Sequence, residues 1–346
     1  MPRLLICDGS PTYAARLRRV LEHDGDITVA AVCATAEEAI ATLPRVQPDV
    51  VTMNVELPGM DGLAAIEEIM SLRPVPILVI SADAGHASTQ AAAALAAGAL
   101  EAVSKDDLHL DDPGGQAAVA FRNRVRLLSQ AQVIRHPRAR LRKAPAPQRP
   151  GRGASAIGMC GSTGGPYTLS RILGDLPADY PIPILVVQHI SAGFTEGLVH
   201  WLDQSVRLPV RMADNGRPAG PGAWIAPDGA HLKLTPTGRL LLDRRTVAGH
   251  HRPSGDVLFE SLAEVAADKC AAVVLSGMGN DGARGAAAIR RAGGLVVVQD
   301  QESSAVFGMP QAAIDGGADL VLSPGEIAAC LIGLRYEPFA RTQACL

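Results

Sequence analysis

Ser155-Ala156-Ile157-Gly158-Met159-Cys160 runs directly into Gly161-Ser162-Thr163-Gly164-Gly165-Pro166, and then into a stretch with helical spacing. A continuously apolar run closed by a cluster of small residues predicts a strand buried on both faces, a tight turn and a helix start. The same rhythm returns downstream. Ile184-Gln188, Trp224-Ala226, Ala271-Ser276 and Leu295-Gln299 read as further strands, with helical segments such as Gly255-Asp268 and Ala283-Ala292 between them. Leu208 to His250, with Leu232-Leu234 and Leu240-Leu242 around Pro236-Thr237-Gly238, reads as an insertion bearing a hairpin. Upstream, Leu4-Cys7, Ile27-Cys33, Val50-Met53, Ile77-Ile80 and Ala99-Ser104 alternate with helical stretches, the βαβ pattern of a parallel sheet. The predicted class is therefore α/β, with two doubly wound parallel-sheet domains: a flavodoxin-like one and a Rossmann-like one.

Between them, residues 135–153 carry seven basic residues, four prolines and no acidic residue. Like charges and prolines favour an extended spacer, so the organisation expected is a domain over 1–134, a basic linker over 135–153 and a second domain over 154–346. A chain of 346 residues suits two domains of roughly 150 residues each. Its 47% hydrophobic and 19% charged residues exclude a disordered or collagen-like chain, and its net charge of -3 provides no overall basic field for nucleic acid. The six cysteines, Cys7, Cys33, Cys160, Cys270, Cys330 and Cys345, form no Cys-x-x-Cys pair, which predicts reduced thiols and no structural metal. No apolar run reaches the roughly 18 residues of a membrane span, and the N-terminal run is too short for a signal peptide. A cytoplasmic protein without membrane insertion is expected.

In an open parallel sheet the ligand site lies beyond the carboxyl ends of the strands. In the second domain the Gly158–Gly164 turn fails as a dinucleotide fingerprint, because Gln188-His189 stands where a ribose-binding carboxylate belongs, and it lacks the Gly-Lys-Ser/Thr of a phosphate loop. Three strand ends instead offer a hydroxyl at Ser162, an imidazole at His189 and a carboxylate at Asp281, within Gly277-Met278-Gly279-Asn280-Asp281-Gly282. These are the parts of a nucleophile, base and orienter; the plain alternative is a capped strand end at His189 and a turn residue at Asp281. His250, His251 and Arg252 are candidates for contacting an acidic substrate, and Trp201 and Trp224 read as core. In the first domain the corresponding positions are Asp8, Asn54, Ser81 and Lys105.

Residues 1–134 resemble a two-component receiver domain, through Asp8-Gly9-Ser10, Pro58-Gly59-Met60-Asp61-Gly62, Ser81 and Lys105. The resemblance implies an acidic pair after the first strand and a phosphate-accepting Asp after the third. Here those positions hold Asp8-Gly9 and Asn54, and a carboxamide is too poor a nucleophile to form an acyl phosphate. With one certain carboxylate, Asp8, the pocket is expected to bind magnesium weakly or not at all.

The second domain resembles the catalytic domain of the CheB methylesterase family, through Ser162-Thr163-Gly164-Gly165, Gln188-His189, Gly193-Phe194-Thr195, Ile225-Ala226-Pro227, His251-Arg252-Pro253-Ser254, Gly277–Gly282 and Phe307-Gly308-Met309-Pro310. The resemblance implies Ser162 as nucleophile, His189 as general base and Asp281 as the residue that holds the imidazole, with backbone N–H groups at Thr163 and Met278 as oxyanion candidates. One departure is Cys160, where the family has a glycine two residues before the serine. The implied reaction is cleavage of glutamate methyl esters on chemoreceptor helices, releasing methanol, with deamidation of receptor glutamines as a second reaction. Implied partners are those receptors and a chemotaxis histidine kinase; no cofactor is implied. The alternative, from a different class, is an inactive regulatory scaffold.

Overall fold

The computed structural model describes residues 1–81, 86–131, 133, 152–246 and 251–339, so the predicted linker lies almost wholly outside the described residues, as do His136, His250 and Cys345. The chain divides into two compact units, one of Met1–Leu141 with Ile190–Leu198 and one of Arg142–His189 with Val199–Leu346.

The first unit alternates strand and helix: β1 (Arg3–Cys7), α1 (Pro11–Leu21), β2 (Thr28–Cys33), α2 (Ala36–Val46), β3 (Val50–Asn54), α3 (Gly62–Leu72), β4 (Ile77–Ser81), α4 (His86–Ala96), β5 (Glu101–Ser104) and α5 (Gln116–Leu128). The sheet order β2-β1-β3-β4-β5 with every pairing parallel is the flavodoxin-like arrangement. Every residue of β3 and β4 is buried, which is why these strands read as unbroken apolar runs. Helix starts are set by side-chain caps: Ser10 accepts from the Tyr13 amide ahead of Pro11, and Thr35 accepts from the Glu38 amide.

From residue 153 onward the chain forms β6 (Gly153–Ala154), β7 (Ala156–Gly161), α6 (Gly165–Asp175), β8 (Ile184–Gln188), α7 (Thr195–Ser205), β9 (Val210–Met212), β10 (Ala223–Ile225), β11 (His231–Leu234), β12 (Leu240–Asp243), α8 (Gly255–Ala266), β13 (Cys270–Val274), α9 (Ala283–Arg291), β14 (Leu295–Gln299), α10 (Gly308–Asp315), β15 (Leu320–Leu322), α11 (Pro324–Ile332) and β16 (Arg335–Tyr336). Seven strands form one parallel sheet, β15-β14-β13-β7-β8-β10-β9. The stretch 208–250 is not wholly an insertion. Val210–Met212 pairs with β10 at the sheet edge, and only β11 and β12 form the separate antiparallel hairpin, with Leu232 opposite Leu242. The core packs Leu258, Phe259 and Leu262 of α8 against Cys160, Val187, Ala272 and Val274 from the sheet. Gly158 makes this approach possible, because a Cβ there would lie 2.7 Å from Leu262 and 2.8 Å from Phe259.

Candidate active site

The ends of β7, β8 and β13 are neighbours in the sheet, and backbone bonds carry the pairing past the last strand residues. His189 N–H donates to Gly161 O at 2.9 Å, and Ser162 N–H donates to Ser276 O at 3.0 Å. Ser162 therefore leaves the sheet beside His189, on the turn that starts α6. Gly164 holds that turn with φ +76°, a left-handed conformation that favours glycine, and a Cβ there would lie 2.7 Å from Ala305. Gln188, fully buried, fixes the loop from beneath: its Nε2 donates to Ser162 O and to His189 O, both at 2.9 Å. Ser276 Oγ donates to Thr163 O at 2.8 Å.

Asp281 is set by a second turn, in which Gly282 has φ +88° at the start of α9. Its carboxylate faces the N-terminus of α8 and accepts from Ser254 Oγ at 2.7 Å, Gly255 N–H at 2.6 Å and Asp256 N–H at 3.2 Å. The exposed amides and positive end of a helix stabilise an anion there. Burial alone would push this carboxyl up, but His189 and the α8 donors outweigh it and hold Asp281 well below the usual carboxylate range. His189 Nε2 lies 2.9 Å from Asp281 Oδ2, with both side chains only 10% exposed. That is ion-pair distance without hydrogen-bond alignment, and among the described residues neither ring nitrogen has a hydrogen-bond partner. The structure thus brings His189 and Asp281 together and leaves Ser162, half-buried, adjacent in the loop without a hydrogen bond to the ring. Hydrogen bonds of a catalytic base are commonly long before substrate binds.

The family-model description "CheB methylesterase" matches residues 157–331. The chain belongs to the CheB methylesterase family. A second family model, the response regulator receiver domain, matches residues 4–109. Protein-glutamate methylesterase/protein-glutamine glutaminase 2 of Anaeromyxobacter dehalogenans is 42% identical over 334 residues, covering 95% of this chain and 96% of the relative. The enzyme of the same name numbered 3 from Myxococcus xanthus is 41% identical over 317 residues, covering 90% and 88%. The crystal structure of the Thermotoga maritima CheB methylesterase catalytic domain is 38% identical with a TM-score of 0.51, covering 52% of this chain and 98% of that one.

Within this CheB fold, His251 stacks on His189 with ring centroids 4.1 Å apart and planes 12° from parallel. Arg252 faces elsewhere, donating to Arg244 O and Thr246 O at 3.2 and 3.1 Å. Trp224 is core, while Trp201 is half-buried. Two contributors went unread in the sequence, Ser254 with the α8 amides, and Gln188 as a brace. The signal for the first was available: Ser254-Gly255-Asp256 before an apolar run is a helix-start signature.

Cys160 lies under the site, wholly buried, with Sγ 4.0 Å from Asp281 Oδ2. Burial, followed by the charges of Asp281 and Asp256, raises its thiol well above the ordinary cysteine value. The cysteine spacing in the chain suggested no metal set, yet the fold assembles one grouping among the described residues: ligand atoms of Cys160, His189 and Asp281 within 4.8 Å of one another.

In the receiver unit, Asp8, Asn54, Ser81 and Lys105 follow or end β1, β3, β4 and β5 on one sheet edge. Lys105 Nζ lies 3.6 Å from Asp8 Oδ2 and 4.9 Å above the Tyr13 ring. Asp8 Oδ1 accepts from Ser10 N–H at 2.8 Å, and Asn54 Oδ1 from Glu56 N–H at 3.2 Å. Asp8 and Asn54 are both buried, and among the described residues they present one carboxylate and one amide oxygen at this edge.

Proposed function

We propose that this chain is a serine hydrolase that removes methyl groups from glutamate methyl esters of chemoreceptors and deamidates receptor glutamines. The observation that carries the reading is the His189–Asp281 pair at 2.9 Å, anchored by α8 and set beside the Ser162 turn. Ser162 Oγ attacks the ester carbonyl. Nε2 of His189 faces Asp281, so Nδ1 takes the hydroxyl proton and returns it to the departing methanol. Water then cleaves the acyl-enzyme by the same proton path. Asp281, held ionised, stabilises the imidazolium and fixes its tautomer, and the backbone N–H groups of Thr163 and Met278 receive the oxyanion. Ammonia replaces methanol when the substrate is a glutamine amide, so one acyl-enzyme serves both reactions.

The same reading assigns 1–134 to a receiver domain, 135–153 to a linker and 154–346 to the catalytic domain, in a cytoplasmic protein whose partner is the glutamate-rich receptor helix. The receiver is not phosphorylated at Asn54. The relatives named as methylesterase/glutaminase support this reading. The test is fluorophosphonate labelling and methanol release from methylated receptor membranes: Ser162→Ala is expected to abolish labelling and to slow release by on the order of 10⁴-fold. Full activity in that variant overturns the assignment, and a folded wild-type protein that never labels favours the scaffold alternative.

A further inference from the structure

We propose that Cys160, His189 and Asp281 bind a thiophilic divalent cation of the zinc group, and that its binding silences the enzyme. The silencing rests on the hydrolase reading above; the binding does not.

Three ligand types that suit zinc converge here: Cys160 Sγ and Asp281 Oδ2 are 4.0 Å apart, His189 Nε2 and Oδ2 are 2.9 Å apart, and all three ligand groups fall within 4.8 Å. Tetrahedral zinc, with bonds of about 2.3 Å to sulfur and 2.0–2.2 Å to nitrogen and oxygen, sets such atoms about 3.3–3.5 Å apart. Shifts of about an ångström along the edges of the triangle therefore admit the ion. His189 supplies the second observation. Its side chain is nine-tenths buried, with Nε2 2.9 Å from Asp281 Oδ2, and among the described residues neither ring nitrogen has an aligned hydrogen-bond partner, so the ring is free to present Nε2 to a cation once the Nε2 proton has shifted to Nδ1. Asp281 is already oriented by Ser254 and the α8 amides, the outer-shell support that metal-bound carboxylates need. The thiol selects zinc or cadmium over magnesium.

On binding, the hydrated cation loses water, the Cys160 S–H proton passes to solvent, the imidazole changes tautomer so that its one proton moves from Nε2 to Nδ1, and metal–thiolate and metal–Nε2 bonds form with no electron transferred. The imidazole lone pair is then committed to the metal, and His189 can no longer accept the Ser162 proton. Cys160 stands where the resemblance puts a glycine, so the thiol ligand is a departure from that pattern.

The experiment titrates full-length protein with cadmium, reading thiolate-to-cadmium absorbance and equilibrium dialysis, in wild type, Cys160→Ala and Cys160→Ser. Two variants are used so that one folded variant is enough. One Cys160-dependent site per chain is expected, weakened at least about tenfold in either variant. Equal binding and equal absorbance in a folded variant overturn the site. In parallel, zinc is expected to block fluorophosphonate labelling of Ser162 and EDTA to restore it. Undiminished labelling of the metal-saturated wild type overturns the silencing. If the metal-free protein never labels, the hydrolase reading fails, while the cadmium titration still decides the metal site.

Discussion

A methyl group added at Gly277 tests whether the position of Ser162 governs the chemistry. Gly277 lies three residues past the end of β13, and a Cβ there would fall 2.7 Å from Ser162 Cβ, 3.1 Å from Ser162 N and 2.3 Å from Met309 Sδ. The thioether can swing aside, since methionine has several soft torsions. Ser162 cannot yield as easily: its N–H is bonded to Ser276 O at 3.0 Å, and its carbonyl accepts from Gly165 N–H at 2.8 Å and Gln188 Nε2 at 2.9 Å. Carbon atoms settle at about 3.5–4.0 Å, so Gly277→Ala drives Ser162 away by about 1 Å. A displacement of that size costs on the order of 10²-fold in rate. Overpacking costs about 1–3 kcal/mol, which in a domain of this size lowers the melting temperature by about 2–12 °C. The assay is the second-order rate of fluorophosphonate labelling at Ser162 in wild type, Gly277→Ala and, as a control for the sulfur contact, Met309→Ala. The expected result is about a hundredfold slower labelling in Gly277→Ala with the fold retained. A folded Gly277→Ala protein that labels within about twofold of wild type refutes the argument that this contact sets the nucleophile.

Asp281→Asn should lower the methanol-release rate by on the order of 10⁴-fold, as loss of the orienting carboxylate does in other triads. It also sets an amide among three α8 donors, destabilising the fold by about 1–3 kcal/mol. Because the folded carboxyl is held below its unfolded value near 4, that stabilisation is fully present above about pH 4 and is lost as pH falls through the lower folded value. The difference in melting temperature between wild type and Asp281→Asn is therefore expected to shrink as pH is lowered below about 4, and a difference that does not change over that descent contradicts the assignment. Gly158→Ala, whose Cβ would press on Leu262 and Phe259, should destabilise the catalytic unit by about 1–3 kcal/mol, seen as a lower urea midpoint at unchanged slope. Acetyl phosphate with magnesium should leave methanol release unchanged; a several-fold rise would show that the pocket with Asn54 still passes a phosphorylation signal.

The parallel sheets were legible because helices cover both faces, so β3, β4, β7, β8, β13 and β14 are buried from end to end and announce themselves as apolar runs. The edge strands were not. Val210–Met212 carries exposed Arg211 in its centre, and Leu320–Leu322 carries Val321 at 47% exposure, so neither three-residue strand has the composition of a buried one. The same distinction governs the site. Ser162, His189 and Asp281 were legible because each follows a readable strand, and the fold class alone sends those ends to one edge. What holds Asp281 was not, because α8 is joined to it through packing over β7 and β13, while Ser254 lies 27 residues away in the chain. That hidden contact explains how a buried carboxylate stays charged beside a buried thiol. Ser254 Oγ and Asp256 N–H hold Oδ1, while Oδ2 is shared between Gly255 N–H and the imidazole. The charge on Asp281 is thus a property of the scaffold. It is set by the start of α8, independently of any substrate, and places a negative charge 2.9 Å from the His189 ring.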